Sequence, residues 1–276
     1  MGRPIKAAGV AGAGTMGAGI AQVFALHGYT VTLADRSVEA LRAAIDRVKE
    51  HTDPALWEKI DALIKTSTDL NDLGGSDIVI EAVYEDMKAK KEVLKALDKV
   101  CGKDAIIATN TSSISITRLG RYVSNPGRFI GMHFMNPPKV MRLVEVIAGR
   151  RTSVETVETV TGLAQSLDKA AAVVKDSPGF VTNRLLFSLI GEAIRTLEKG
   201  IATKEDIDVC MRHGMNHPMG PIELADFIGL DICMETMENI HEGLGDKRFR
   251  PPRTLKRLVK EGKLGRKTKE GFYKYE

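Results

Sequence analysis

Residues 10–21 read VAGAGTMGAGIA and contain a complete G-x-G-x-x-G pattern at Gly12, Gly14 and Gly17. In this pattern the first glycine permits a tight turn, the second lets the backbone approach a pyrophosphate, and the third lets a helix pack on the preceding strand. An apolar run precedes the pattern and a helical stretch follows it. The stretch therefore predicts a strand–turn–helix unit that binds a dinucleotide, and a glycine-rich turn without a ligand is the alternative.

Asp35 ends the next predicted strand, 18 residues after Gly17. A carboxylate at this position can hydrogen-bond both ribose hydroxyls of NAD, and it repels the 2′-phosphate of NADP. The pattern therefore favours NAD, while the adjacent Arg36 leaves NADP open.

The first half of the chain alternates short apolar runs with longer helical stretches. We predict strands in 5–10, 29–35, 76–83 and 105–110, and helices in 15–27 and 85–100. The nearly continuous apolar runs are typical of strands covered on both faces, and the alternation predicts a parallel sheet with right-handed crossovers. The charged segment 37–65 predicts a helical hairpin that stands off the sheet and breaks near Asp53.

Two apolar runs between residues 128 and 147 predict neighbouring strands joined by a loop around Asn136 to Lys139. Beyond the Pro-Gly pair at 178–179 the strand signal is weak and helical patterning dominates. The predicted fold class is therefore α/β, with a Rossmann-type doubly wound sheet in residues 1–180 and an all-helical C-terminal domain in residues 181–276.

Composition excludes several classes of protein. The 276 residues include 40 basic and 36 acidic side chains, a balance that favours neither nucleic acid nor a membrane surface as a partner. No apolar run approaches the ~18 residues that a membrane span needs. The three cysteines are widely spaced and form no Cys-x-x-Cys pair, so we expect small buried residues, no metal site and a reduced, cytoplasmic protein.

His133 and Glu145 lie in the two predicted strands between residues 128 and 147. Glu145 stands between Val144 and Val146, so its carboxylate is in a strand suited to burial, where it needs a partner. If the two strands pair, positions 133 and 145 can meet. The carboxylate would then fix the imidazole tautomer and make the ring an effective proton acceptor. A buried pair with only a structural role is the alternative.

Several further motifs follow one another along the whole chain: GAGTMGAGIA, NTSSISI, GMHFMNPP, VEVI, SPGFVTNRL, HPMGPIELADFIGLD and LGRKTKEGFYKY. With them the chain resembles the 3-hydroxyacyl-CoA dehydrogenase family, most closely its stand-alone short-chain members. The resemblance implies NAD-linked interconversion of a 3-hydroxyacyl-CoA and a 3-ketoacyl-CoA. It also implies an active site in the cleft between the two domains and a homodimer formed through the helical domain.

The same resemblance implies roles for individual residues. His133 would be the general base that takes the hydroxyl proton, and Glu145 would orient it. Ser112 would hydrogen-bond the substrate oxygen, and Asn183 would complete the substrate pocket from the helical domain. The cofactor contacts that it implies are Gly12, Gly14, Thr15, Met16, Gly17, Asp35, Glu85, Lys90 and Asn110.

Each of the polar residues outside the glycine loop also has a structural alternative. Glu85 and Lys90 lie in a lysine-rich stretch and could be solvated helix surface. Asn110 and Ser112 could cap a helix, since Asn, Ser and Thr all cap well. Asn183 could likewise only cap or start the long helix that follows it.

The chain departs from the family in the hairpin after the second strand. The family's hairpin is longer and lysine-rich and helps to bind the CoA nucleotide, whereas here Arg47, Lys49 and Lys59 are predicted to be solvated helix surface. Two other functions stay open, and the shorter hairpin is the reason for the first of them. One is a dehydrogenase of a free hydroxy acid on the same fold, and the other is a non-catalytic NAD-binding protein.

Overall fold

The computed structural model describes residues 5–276, which divide into a first unit that ends at Ser177 and a second unit, Pro178–Glu276. The first unit contains eight strands: β1 (Ala7–Ala11), β2 (Thr30–Ala34), β3 (Ile64–Ser67), β4 (Ile78–Glu81), β5 (Ile106–Thr109), β6 (Phe129–Phe134), β7 (Leu143–Ala148) and β8 (Ala170–Lys175). They form one sheet in the order β3-β2-β1-β4-β5-β6-β7-β8. All neighbours pair in parallel except β6 and β7, which are antiparallel.

Burial explains why the central strands are so uniformly apolar. Every residue of β4, β5 and β6 is buried, because helices cover both faces of a doubly wound sheet. The helices of the first unit are α1 (Thr15–Leu26), α2 (Val38–Glu50), α3 (Pro54–Asp61), α4 (Met87–Val100), α5 (Ile116–Leu119) and α6 (Val154–Ser166). The predicted Rossmann-type sheet and the pairing of the strands around His133 and Glu145 are confirmed.

The segment 37–65 differs from its prediction in two ways. The helical break near Asp53 is present, but Ile64–Ser67 is the edge strand β3 and not helix. The hairpin also does not stand off the sheet. Buried side chains of α2 and α3, among them Ala44 and Ile60, belong to the same apolar core as α1 and the strands. Their periodic apolar residues drive this packing, which the high charge of the segment concealed.

The second unit is helical, as predicted. Its helices are α7 (Thr182–Glu198), α8 (Lys204–Val209), α9 (Pro221–Ile228), α10 (Leu230–Leu244) and α11 (Arg253–Lys260), and α8 continues into a π-helical turn, Cys210–Gly214. They surround a core of their own that includes Ile190, Ile194, Ile222 and Met237. Short 3-10 turns complete the chain at Leu70–Leu73, Gly120–Tyr122, Pro126–Arg128, Lys247–Phe249 and Arg266–Thr268.

The C-terminal aromatic segment is fastened to the second unit by a buried carboxylate. Asp226 accepts the N–H groups of Phe272 and Tyr273 at 2.9 and 2.8 Å, and the hydroxyl of Tyr275 at 3.0 Å. Burial raises the pKa of Asp226, and these hydrogen bonds offset part of the rise. The segment therefore packs on the helical unit.

The three cysteines follow their prediction only in part. Cys233 is buried as predicted, but Cys101 is only half-buried and Cys210 is exposed. Within residues 5–276, no helix has the length and apolar character that crossing a bilayer requires.

Candidate active site

The residues predicted to bind the cofactor lie at the edge of the first unit's sheet that is formed by the carboxyl ends of its parallel strands, and not along an edge strand. Strands β1, β2, β4, β5 and β6 run parallel, so their carboxyl ends share that edge. Ligands of open α/β sheets bind at this edge. The residues at or just beyond these strand ends are Gly12, Asp35, Glu81, Asn110 and His133.

The glycine loop has the backbone geometry that its sequence demands. Gly12 has a φ of +110°, and a Cβ there would lie 2.6 Å from the carbonyl oxygen of Ala82. A Cβ on Gly17 would lie 1.8 Å from the carbonyl oxygen of Gly12, so the helix can pack this closely on the turn only with glycine. At Gly14, by contrast, a Cβ would meet nothing within 4 Å. This glycine is exposed and leaves its backbone open to a ligand.

The N-terminus of α1 is suited to an anion. The helix begins at Thr15 with Gly14 as its N-cap residue, and no side chain of residues 5–276 caps it. Its first N–H groups and the positive end of its dipole therefore face the exposed loop, where a phosphate is favoured.

Asp35 ties the glycine loop to the end of β2. Its Oδ2 accepts the N–H of Ala13 at 2.8 Å, and its Oδ1 accepts the N–H of Ser37 at 3.0 Å. A carboxylate has about four acceptor positions, so these two bonds leave capacity for ribose hydroxyls. Asp35 is half-buried and is thus held where a carboxylate that hydrogen-bonds the ribose of a dinucleotide is expected.

His133 and Glu145 meet as predicted. They are directly opposite each other in the antiparallel β6–β7 pair, and His133 Nδ1 lies 2.9 Å from Glu145 Oε2. The two side chains are 8% and 1% exposed, so water screens the interaction little. Because a carboxylate oxygen accepts, Nδ1 donates, and Nε2 becomes the ring nitrogen that can accept a proton.

Asn110 joins the end of β5 to the end of β6. Its Oδ1 accepts the N–H of Phe134 at 2.8 Å, next to His133 in sequence. Asn110 is buried and therefore helps to fix the strand that carries the imidazole. It does not cap the helix that follows, because Ser115 is the N-cap residue of α5.

Glu85 holds the polar turn at residues 111–113. Its Oε1 accepts the hydroxyl of Thr111 at 2.5 Å and the N–H groups of Ser112 and Ser113 at 2.8 and 3.0 Å. Burial raises the pKa of this carboxyl, but the nearby charge of Lys90 and these hydrogen bonds outweigh it and leave the pKa lowered. Ser112 also donates its hydroxyl to Glu85 at 3.2 Å and, like Asn110, does not cap α5.

Lys90 is not solvated helix surface. Its side chain is 1% exposed, and its ammonium lies 2.8 Å from Glu81 and 3.2 Å from Glu85. Glu81, a fully buried carboxylate at the end of β4, was not predicted from the sequence. The signal was available, because Glu81 stands in an apolar run just as Glu145 does.

Asn183 belongs to the second unit. It lies in the first turn of α7, which begins at Thr182 with Val181 as the N-cap residue, so Asn183 is not at the capping position. Among residues 5–276, no group of three or more His, Cys, Asp or Glu side chains could hold a metal ion.

A cavity of about 410 Å³ lies beside α1 in the first unit. Its walls come from α1, the end of α2 and the loop after β6, and they include Gly19, Arg47, His51 and Lys139. Arg47 is half-buried in this wall, whereas Lys49 and Lys59 are exposed as predicted. The cavity therefore combines apolar walls with positive charge.

Taken together, the parallel sheet, the glycine loop and Asp35 define the chain as a Rossmann-type dinucleotide-binding protein. The open backbone at Gly14 and the uncapped helix fit the pyrophosphate, and the carboxylate at the end of β2 fits the ribose of NAD.

Comparison with known proteins gives the family. Residues 7–177 match the model of the 3-hydroxyacyl-CoA dehydrogenase NAD binding domain, and residues 179–275 match that of the C-terminal domain. The chain therefore belongs to the 3-hydroxyacyl-CoA dehydrogenase family; it is a NAD-dependent oxidoreductase.

Individual relatives are similar over nearly the whole chain. A probable 3-hydroxybutyryl-CoA dehydrogenase of Bacillus subtilis is 47% identical, covering 99% of this chain and 98% of the relative. The 3-hydroxybutyryl-CoA dehydrogenase of Clostridioides difficile is 43% identical, covering 96% and 98%. The crystal structure of the (S)-3-hydroxybutyryl-CoA dehydrogenase from Ralstonia eutropha superimposes with a TM-score of 0.95 at 44% identity, covering 99% and 100%.

Proposed function

We propose that the protein interconverts (3S)-3-hydroxybutanoyl-CoA and acetoacetyl-CoA with NAD, using His133 as general base and acid. The observation that carries this proposal is the buried hydrogen bond of 2.9 Å between His133 and Glu145 at the carboxyl edge of the sheet. The proposal of a short acyl chain is based on the relatives, which are named for 3-hydroxybutyryl-CoA. Their similarity over nearly the whole chain supports the same substrate here.

In this mechanism His133 handles the proton of the 3-hydroxyl. Glu145 accepts the hydrogen on Nδ1, so Nε2 is the basic nitrogen and takes the proton as the carbonyl forms. The positive charge that develops on the ring is stabilised by the carboxylate of Glu145, which is almost completely buried from water. NAD, when bound, would accept the hydride that leaves C3. In the reverse reaction the same nitrogen returns the proton to the oxygen.

Two further residues would hold the substrate. Ser112 is positioned by Glu85, which accepts its N–H at 2.8 Å. Its hydroxyl donates to Glu85 at 3.2 Å and would turn from Glu85 to donate to the substrate oxygen. Asn183 would add an amide group from the second unit. The cofactor would be bound by Gly12, Gly14, Thr15, Met16, Gly17, Asp35, Glu85 and Asn110. Lys90 was also expected to contact it, but its side chain is 1% exposed and would act through Glu85.

A cationic wall supports CoA as the handle of the substrate. Arg47 and Lys139 line the cavity of about 410 Å³, and CoA carries several phosphate charges that such residues attract. A free hydroxy acid carries a single carboxylate and would use little of this cavity. The cavity therefore favours the thioester over the free acid.

We also propose that the protein is a homodimer through its helical unit. That unit exposes several large apolar side chains, including Leu185 at 65%, Ile201 at 68%, Met215 at 66% and Phe227 at 58%. A dimer contact that covered these side chains would remove their apolar area from water, which is favourable. Sedimentation velocity would give the mass of a dimer, and a monomer at every concentration would refute this part.

The free cysteines fit a reduced compartment, so we propose that the protein is located in the cytoplasm.

The proposed activity is tested by NADH consumption with a series of 3-ketoacyl-CoAs of increasing length, beside free acetoacetate. We expect the highest kcat/KM with acetoacetyl-CoA, a decline with longer chains and little turnover of the free acid. Faster turnover of the free acid would replace the proposal with a free-acid dehydrogenase. No turnover of any substrate by a protein that binds NADH would support a non-catalytic role.

A further inference from the structure

A chain of buried charges links the end of β4 to the turn after β5. Glu81 is 0% exposed and Lys90 is 1% exposed, and their charged atoms are 2.8 Å apart. Lys90 lies 3.2 Å from Glu85, which is 35% exposed. Glu85 in turn binds the turn at residues 111–113. The series runs from the dry interior to the exposed edge of the sheet where the cofactor is expected.

Lys90 has no donor to spare for a ligand in this arrangement. A lysine ammonium has three N–H groups. They point to Glu81 at 2.8 Å, to Glu85 at 3.2 Å and to the carbonyl oxygen of Val83 at 3.3 Å. Lys90 therefore acts on the edge of the site through Glu85.

Glu81 is what keeps Lys90 in the interior. Its Oε1 accepts from Lys90 and from the N–H of Val83, and its Oε2 accepts the hydroxyl of Thr109 at 2.6 Å. A lysine at this depth without a full negative partner would move outward or lose its proton. Either change would deprive Glu85 of the ion pair that helps to fix it.

We propose that Glu81 is a positioning residue of the cofactor site: it holds Lys90, and Lys90 holds Glu85 and the 111–113 turn in the geometry that binds NAD. This inference rests on the proposed function, which assigns Glu85 to the cofactor. If Glu81 and Lys90 served stability alone, they would not need to be charged, because an apolar pair of similar volume is often as stable as a buried ion pair.

The experiment measures NADH dissociation constants by fluorescence titration and melting temperatures for the same variants. We expect Glu81→Gln to weaken NADH binding about tenfold, the scale of coupling between contacting residues. KM for NAD should rise more than kcat falls. Glu85→Gln should also weaken binding. Asp77→Asn is the matched control, because Asp77 accepts the N–H groups of Lys6 and Ala7 just before β4 begins, at the opposite edge. It should lower the melting temperature and leave NADH affinity unchanged.

A double-mutant cycle tests whether Glu81 acts through Lys90. The double variant Glu81→Gln with Lys90→Met removes both buried charges together, so it keeps the interior neutral even if Lys90→Met alone fails to fold. It should bind NADH no more weakly than Glu81→Gln alone. A further loss in the double variant would overturn the proposal. So would wild-type NADH affinity in a Glu81→Gln protein that is merely less stable. If Glu85→Gln itself binds NADH normally, the cofactor assignment under the proposed function fails instead.

Discussion

Replacing Glu145 with Gln should lower kcat strongly and leave cofactor binding nearly unchanged. The carboxylate accepts from His133 at 2.9 Å, in a place where the two side chains are 1% and 8% exposed. When the ring takes up a proton, the two charges are about 4 Å apart, and their attraction is about 4 kcal/mol at an effective dielectric constant of about 20. The amide of Gln keeps a hydrogen bond but loses most of this attraction. We therefore expect kcat to fall by about 10²–10³-fold, and by about 10²–10⁴-fold in His133→Ala.

The assay follows NADH oxidation with acetoacetyl-CoA and measures NADH affinity and melting temperature in parallel. Asp168→Asn is the matched control, since Asp168 is also paired with an imidazole, that of His27, at 3.2 Å. Its side chain is 90% exposed, so the pair is screened and the variant should keep wild-type kcat. Wild-type turnover by folded Glu145→Gln and His133→Ala proteins would refute the reasoning.

Three further predictions concern the framework around the site. Gly12→Ala should lower the free energy of unfolding by about 1–3 kcal/mol and abolish tight NADH binding. Gly162→Ala in α6, where a Cβ meets nothing within 4 Å, should raise the free energy of unfolding by about 0.5–1 kcal/mol. Thermal unfolding and NADH titration of both variants measure these effects. Because the pKa of Glu85 is lowered, its ionised form stabilises the native state above the ordinary value of 4.5, and this contribution is lost as pH falls through the native pKa. Melting temperatures of Glu85→Gln should then fall less steeply than those of the wild type below that pH, and identical curves would contradict the assignment. Asp226→Asn should cost about 2 kcal/mol and speed hydrogen exchange in residues 271–276, and unchanged exchange there would show that the segment is held by other contacts.

Local patterns in the sequence were sufficient to predict the glycine loop and the contact between His133 and Glu145. The loop depends on the φ of Gly12 and the close packing at Gly17, and both requirements act on single positions that only glycine satisfies. The meeting of His133 and Glu145 followed from one physical rule, that a carboxylate in a buried strand needs a partner. Strand alternation was enough for the Rossmann-type sheet because parallel strands leave few ways to connect.

The features that were missed depend on contacts between distant residues. Strand β3 carries little apolar signal because it is an edge strand with two exposed residues, and it is defined by backbone pairing with β2. The burial of Lys90 could not be predicted from a lysine-rich helix, because it depends on Glu81 nine residues earlier on another element. The spacing from Gly17 predicted the position of Asp35 but not its bond to the N–H of Ala13, which joins two different elements.

The most direct test of the proposed mechanism is a crystal structure of the complex with NAD and acetoacetyl-CoA. We expect the oxygen on C3 to lie within about 3.2 Å of Nε2 of His133, the reach of a general base, while Nδ1 keeps its bond to Glu145. A substrate oxygen held by other groups, with His133 turned away from it, would be incompatible with this mechanism.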